Sequence, residues 1–161
     1  MRSIDRWMVP LFRVWRLIAR FPRVEISLLK ILNTRFLVGA AAVVLDEERR
    51  ILVLKHTYTY PNLWGLPGGW LEGGEEIETM IERELMEETG FKVRVERCLN
   101  AVAMPERHQV EVHYLCQYLS GEFRACAEIS DYRFVSKEDL PEELSDRHRA
   151  MIERLSEEGI L

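Results

Sequence analysis

No stretch of this 161-residue chain is apolar for the roughly 18 residues that a membrane-spanning helix requires. The N-terminus is basic, but Arg13, Arg16, Arg20 and Arg23 interrupt its apolar residues and no small-residue cleavage site follows, so a secretory signal is not expected. Cysteine is scarce: Cys98, Cys116 and Cys126 show no CxxC spacing. An odd, unpatterned count argues against a disulfide framework or a thiolate metal site and fits a reducing cytosol, with the three thiols expected as small buried hydrophobes. Net positive charge is also lacking: the formal charge is −5, which makes no general case for a nucleic-acid surface, and no specific nucleic-acid partner is expected. Internal repeats and low-complexity tracts are absent.

What is present suffices for one domain with a proper core, since apolar residues make up 47% and charged residues 30% of the chain. The charge is unevenly placed. Residues 1–36 hold eight Lys/Arg against two Asp/Glu, and the remainder holds 14 against 25. The chain therefore reads as a basic extension over residues 1–35 and a domain over 36–161. In the extension, Ile4, Trp7, Leu11, Val14, Ile18 and Phe21 recur at spacings of three and four, which predicts an amphipathic helix within 3–33 that Pro10 and Pro22 start, kink or split.

Within the domain, the apolar run from Phe36 to Leu45, the charged turn Asp46-Glu47-Glu48-Arg49-Arg50 and Ile51-Leu52-Val53-Leu54 predict a buried strand pair joined by a hairpin. Breakers fill 61–69, predicting a short strand and a tight loop. A central helix is expected from Ile77 to about Thr89, stopped by Gly90. Strand patterns follow at 91–104, 110–119 and 132–135, with a turn at Ser120-Gly121. A last amphipathic helix is expected over 144–158, with Leu144, His148, Met151, Ile152 and Leu155 on one side. This is a mixed α/β pattern in which helices cover a mixed sheet.

The central helix carries an unusual charge arrangement. At about 100° per residue, Ile77, Met80 and Ile81 form an apolar face with Leu85 at its edge; Glu84 and Glu88 fall on the same face, with Glu87 adjacent. These three carboxylates are neighbours at i, i+3 and i+4, repel one another, sit in the last turn where the helix dipole disfavours anions, and share the core-facing stripe. A hard divalent cation resolves all three conflicts. Oxygen-only ligands suit Mg²⁺, with Mn²⁺ as the alternative, better than zinc. Upstream, Gly68-Gly69 and Gly73-Gly74 allow a loop whose main chain approaches phosphates or the metal. Glu75 at the helix start is expected to pin that loop. Arg83, the helix's single cation, is expected to orient a carboxylate by a bidentate bond.

Read together, Gly69-x5-Glu75-x7-Arg83-Glu84-Leu85-x-Glu87-Glu88-x-Gly90-Phe91 resembles the complete signature of the Nudix hydrolase family, Gx5Ex7REUxEExGU, without a departure over residues 69–91. Leu66-Pro67-Gly68-Gly69 is similar to the family's lead-in. The resemblance implies a Nudix α/β/α sandwich over about 36–158, and leaves residues 1–35 outside it. It implies a hydrolase that cleaves a pyrophosphate bond in a nucleoside diphosphate linked to another group. By position, Glu84, Glu87 and Glu88 would bind metal, Gly68 would add its carbonyl, Glu84 would serve as general base, and Arg83 would orient it. Glu128 stands where many members add a carboxylate, with Glu122 and Asp131 as rivals.

Substrate choice is less legible. His56, Tyr58, Tyr60, Trp64 and Trp70 crowd the box, and Trp64 and Tyr60 are candidates to stack on a base. Arg107 and His108 could reach phosphate or base, and the Gly69 main chain could approach the phosphates. Nucleoside triphosphates, nucleotide sugars and ADP-ribose stay open as substrates. Residues 1–35 admit packing on the domain or in a homodimer, contact with an anionic membrane surface, or contact with a nucleic-acid-like substrate. The expected location is cytoplasmic, peripheral to the membrane under the second of these. The rival readings are a Nudix-fold sensor that binds a nucleotide with little turnover, and the same enzyme held at a membrane by its N-terminal helix.

Overall fold

The computed structural model describes residues 20–22, 24, 26, 33–57 and 63–161. The chain divides after Phe36 into two units. In the first, Pro22, Val24 and Ile26 have helical backbone, and the Val24 N–H donates to the Phe21 carbonyl at 2.9 Å. Apart from these few positions, the helix expected within 3–33 lies outside the described residues, as do its membrane and subunit contacts.

The second unit, Leu37–Leu161, holds one seven-stranded sheet with a helix on each face. The strands are β1 (Leu37–Leu45), β2 (Ile51–His56), β3 (Trp64–Gly65), β4 (Gly68–Trp70), β5 (Phe91–Met104), β6 (Gln109–Gly121) and β7 (Ile129–Val135). The helices are α1 (Ile77–Thr89), between β4 and β5, and α2 (Asp146–Glu157), after β7. This is the mixed α/β fold expected from the strand and helix pattern, in the α/β/α arrangement that the resemblance implied.

β1 explains the unbroken apolar run. It is buried on both faces: Ala40, Ala42 and Val44 join Met80, Ile81 and Leu85 of α1, while Val43 and Leu45 join Met151, Ile152 and Leu155 of α2. The expected hairpin with β2 is present but short, and β1 pairs mainly with other strands. β1 meets β2 only at Leu45↔Ile51; it runs parallel to β6 from Leu37↔Gln109 to Leu45↔Gln117, and antiparallel to β4 through Gly39↔Trp70, Ala40↔Gly69 and Ala41↔Gly68. β2 turns away to pair with β7 and β3. The charged turn is tied by Asp46, which accepts from the Arg50 amide at 2.8 Å and its Nε at 2.7 Å. Local hairpin chemistry thus sets the turn, while nonlocal partners set the strands.

Other boundaries follow the pattern closely. β6 continues through Gly121, which pairs with Phe91, instead of turning at 120–121. Leu85, expected at the edge of the apolar face, is fully buried. Gly90 stops α1 at φ 78°, its N–H donating to the Met86 carbonyl at 3.0 Å. Among the cysteines, Cys116 is buried, Cys126 is intermediate and Cys98 is exposed, so only one of the three is fully the buried hydrophobe expected. No described helix is long and apolar enough to cross a membrane.

Candidate active site

α1 packs its first turns on the sheet and, by continuing the same stripe, drives its last carboxylates inward. Glu88 is 8% exposed, and its Oε2 is buried with no hydrogen-bond partner. Burial is the main cause that lifts its carboxyl to about 8; the charges of Glu84 and Glu128 add to this, and the Gly68 backbone amide opposes it. Glu84 is half-buried and also raised, first by desolvation, against the lowering effect of Arg83. Glu87 is largely exposed and turned toward the Arg83 Nη1 at 3.4 Å.

Glycines let β4 lie against this cluster. The Glu84 carboxyl sits so close to the Gly69 α-carbon that a β-carbon there would overlap it. At Gly68 the overlap would be with the Ala40 carbonyl in the neighbouring strand. The loop is held by Glu75. The carboxylate that takes the bidentate bond of Arg83 is Glu75: Nε donates to Oε1 at 2.9 Å and Nη2 to Oε2 at 3.1 Å. Its remaining Nη1 donates to Glu84 Oε1 at 3.1 Å. The fork therefore fixes the guanidinium on the helix start, and one arm reaches the cluster. Glu75 sits where the dipole of the helix N-terminus favours an anion, which makes it the better anchor. Arg83→Lys and Glu75→Gln are both expected to lower turnover ~10–100-fold, as loss of such orienting groups does, with little change in melting temperature. Wild-type turnover in Arg83→Lys would rule out the orienting role.

Of the three later acidic residues, Glu128 is the one whose charge acts on both Glu84 and Glu88. The Glu128 and Ala127 carbonyls are tied to Thr57, whose amide donates to Glu128 at 2.9 Å and whose hydroxyl donates to Ala127 at 2.5 Å. Asp131 instead accepts from the Tyr132 amide at 2.9 Å.

On the other side of β4 a cavity of about 290 Å³ opens over β1, β6 and the start of α2. Gly68 and Gly69 form its wall toward the carboxylates, and Trp70, Arg107, Arg147 and His148 line the rest. Arg107 and Gly69, both singled out from the sequence, line this cavity. Trp64 borders it but is 3% exposed, packed in the α2-side core with the Arg133 guanidinium 4.5 Å from its ring centroid. It offers no free face to a base. The accessible ring is Trp70, 50% exposed, lying against Gly39. Tyr60 and Tyr58 lie outside the described residues.

Several cavity groups were missed. His148 was read only as part of the apolar side of the last helix. Its Nδ1 accepts from the Leu66 amide at 3.0 Å, which places its proton on Nε2, and burial, with the Arg147 charge, lowers it to about 4. It is therefore a neutral donor at pH 7. His56, also lowered by burial, stands beside it across Gly65. Glu111 and His113 are buried on one face of β6. The signal for them was two polar residues alternating with apolar ones in an otherwise buried strand.

A NUDIX domain model matches residues 35–155. The chain belongs to the NUDIX family. It is 27% identical over 111 residues to an ADP-ribose pyrophosphatase of Methanocaldococcus jannaschii, a match covering 66% of each chain. It is 28% identical over 120 residues to an NAD-capped RNA hydrolase of Photorhabdus laumondii, covering 74% of this chain but 46% of that one. The crystal structure of a UDP-X diphosphatase superposes with a TM-score of 0.68 at 27% identity, covering 86% of this chain and 71% of the other. The chain thus spans about two thirds of the first relative and less than half of the second. The chemistry these names share is hydrolysis of a phosphorus-containing anhydride, which is the enzyme class of this Nudix chain.

Proposed function

We propose that this Nudix chain cleaves the pyrophosphate bond of a nucleoside diphosphate linked to a second group, with a divalent metal held by its carboxylate helix. The carrying observation is the buried, partnerless Glu88 Oε2 beside Glu84. A buried carboxylate without a donor is costly, and a cation relieves that cost. Among the described residues no three carboxylate, imidazole or thiol groups already converge as a cage; Glu87 is turned to Arg83 instead. The donor set is nevertheless all oxygen, as a hard cation requires, which favours Mg²⁺ or Mn²⁺. Glu84 and Glu88 would hold it, with Glu87, Glu128 and the Gly68 carbonyl completing the sphere.

When bound, the metal would neutralise phosphate oxygens and lower the pKa of water. The protein's own part is positional. Glu75 fixes Arg83, Arg83 keeps Glu84 oriented, and Glu84 accepts a proton from the attacking water as general base. The glycine wall of β4 lets the anhydride lie between the carboxylates and the cavity, where Trp70 would stack on the nucleoside. Three free thiols and the relatives' nucleotide substrates support a reducing, cytoplasmic setting.

The test is a phosphate-release screen with Mg²⁺ over ADP-ribose, nucleotide sugars, nucleoside triphosphates and dinucleotides. Metal-dependent release from a nucleoside diphosphate derivative is expected. Binding without product for every compound would favour the sensor reading.

A further inference from the structure

A row of polar side chains, with Glu111 and His113 buried at its centre, crosses the α2-facing surface of β5 and β6, where apolar residues would be cheaper. Asn100 of β5 satisfies all its neighbours when its carboxamide oxygen accepts from the Arg154 Nη1 at 3.1 Å and its nitrogen donates to His113 Nδ1 at 2.5 Å. His113 Nε2–H then donates to Glu111 Oε1 at 2.7 Å. Glu111 Oε2 in turn is ion-paired with Arg147 Nη1 at 3.0 Å. Arg147 and Arg154 are two helical turns apart on α2, so one helix face closes the row at both ends. Burial pushes the Glu111 carboxyl up, but His113 and the Arg147 charge outweigh it and hold it below its ordinary value.

The row ends at the cavity. Arg147 is half-exposed and lines it, with Nη1 ion-paired to Glu111 and donating to Met104 Sδ at 3.5 Å, which leaves Nε and Nη2 over. Arg147 also sits in the first turn of α2, where the helix dipole disfavours a cation. A residue kept there against the dipole, by a buried acid fixed from behind, is being held in one orientation. The groups beside it are donors too: His148 presents Nε2–H, and Arg107 stands across the cavity. Both oxygens of Glu111 are already occupied.

We infer that Arg147 is a specificity-determining residue that donates hydrogen bonds to oxygen acceptors on the nucleoside half of the substrate, and that Asn100, His113 and Glu111 are its positioning residues. This rests on the cavity being the nucleoside site proposed above. Its test does not depend on turnover. Calorimetric titration of the full chain with AMP, GMP, CMP and UMP is expected to show binding of at least one. Arg147→Ala is expected to weaken that binding ~10-fold or more, the usual effect of losing a charged hydrogen-bond donor. His113→Leu, which frees the anchor without touching ligand, is expected to weaken it less. Because Arg147→Ala leaves Glu111 unpaired, the Glu111→Gln/Arg147→Ala double variant provides a folded form in which the loss must persist. With a substrate from the screen, KM should rise while kcat changes less than ~3-fold. Wild-type protein that binds none of the four nucleotides, or equal affinity in the double variant, would overturn the assignment. Nucleotide binding that depends on Arg147 without any product in the screen would support it while removing the hydrolase reading.

Discussion

Glu88→Gln is expected to make the metal-free protein more stable above pH 8 while removing its metal-dependent turnover. The sign follows from linkage. The folded carboxyl titrates near 8, against 4.5 for an ordinary glutamate. Between those values the native state binds a proton that the unfolded chain lacks, so stability is fully present below 4.5 and is lost as pH rises through about 8. Each pH unit in that window costs up to ~1.4 kcal/mol. Gln removes the titration but leaves an amide short of partners, a penalty of ~1–3 kcal/mol. The variant should therefore melt at least ~3 °C above wild type at pH 9, with the difference closing or reversing by pH 5. Melting curves in chelator from pH 5 to 9 check this, and parallel pH profiles for the two proteins would refute it. Added Mg²⁺ should then raise the wild-type melting temperature by mass action and leave the variant unmoved, with turnover down on the order of 100-fold or more.

Gly69→Ala and Gly68→Ala should fail in different ways, although the residues are adjacent. At Gly69 the new methyl meets the end of the Glu84 side chain, which can swing away. The fold should survive with a melting temperature within a few degrees of wild type, while turnover falls ~100-fold because Glu84 loses its place. At Gly68 the methyl meets the Ala40 carbonyl and the Ala41 α-carbon, fixed backbone in the most buried strand. That overpacking is expected to cost ~1–3 kcal/mol or more and to show first as lost stability. The pair is checked by melting temperature and kcat measured side by side. Full activity in Gly69→Ala would mean that Glu84 does not need the position it occupies.

Much of this was legible without coordinates because it is local. The helix from Ile77 to Thr89 and its stop at Gly90 follow from periodicity and from the left-handed conformation that glycine tolerates. The inward stripe that ends in Glu84 and Glu88 follows from helical geometry alone. Arg83 marks where such reading stops. Residue type suggests a bidentate bond to a carboxylate without saying which, and the fork closes on Glu75, eight residues back, because the loop returns to the helix in three dimensions. Trp64 and Trp70 make the same point: six residues apart in a breaker-rich segment, one is core and the other is cavity wall.

The sequence by itself determined the carboxylate helix, the glycine-rich approach to it and the reaction class that goes with an intact Nudix box. All are written within residues 69–91, where neighbours in sequence are neighbours in space. Which side chains line the cavity beside the box depends instead on the tertiary structure. Arg107, Glu111, Arg147 and His148 come from β6, the turn before it and α2, and they meet because β1 pairs in parallel with β6 and α2 packs across that face. Parallel pairing joins segments about 70 residues apart, a contact that no local periodicity can encode.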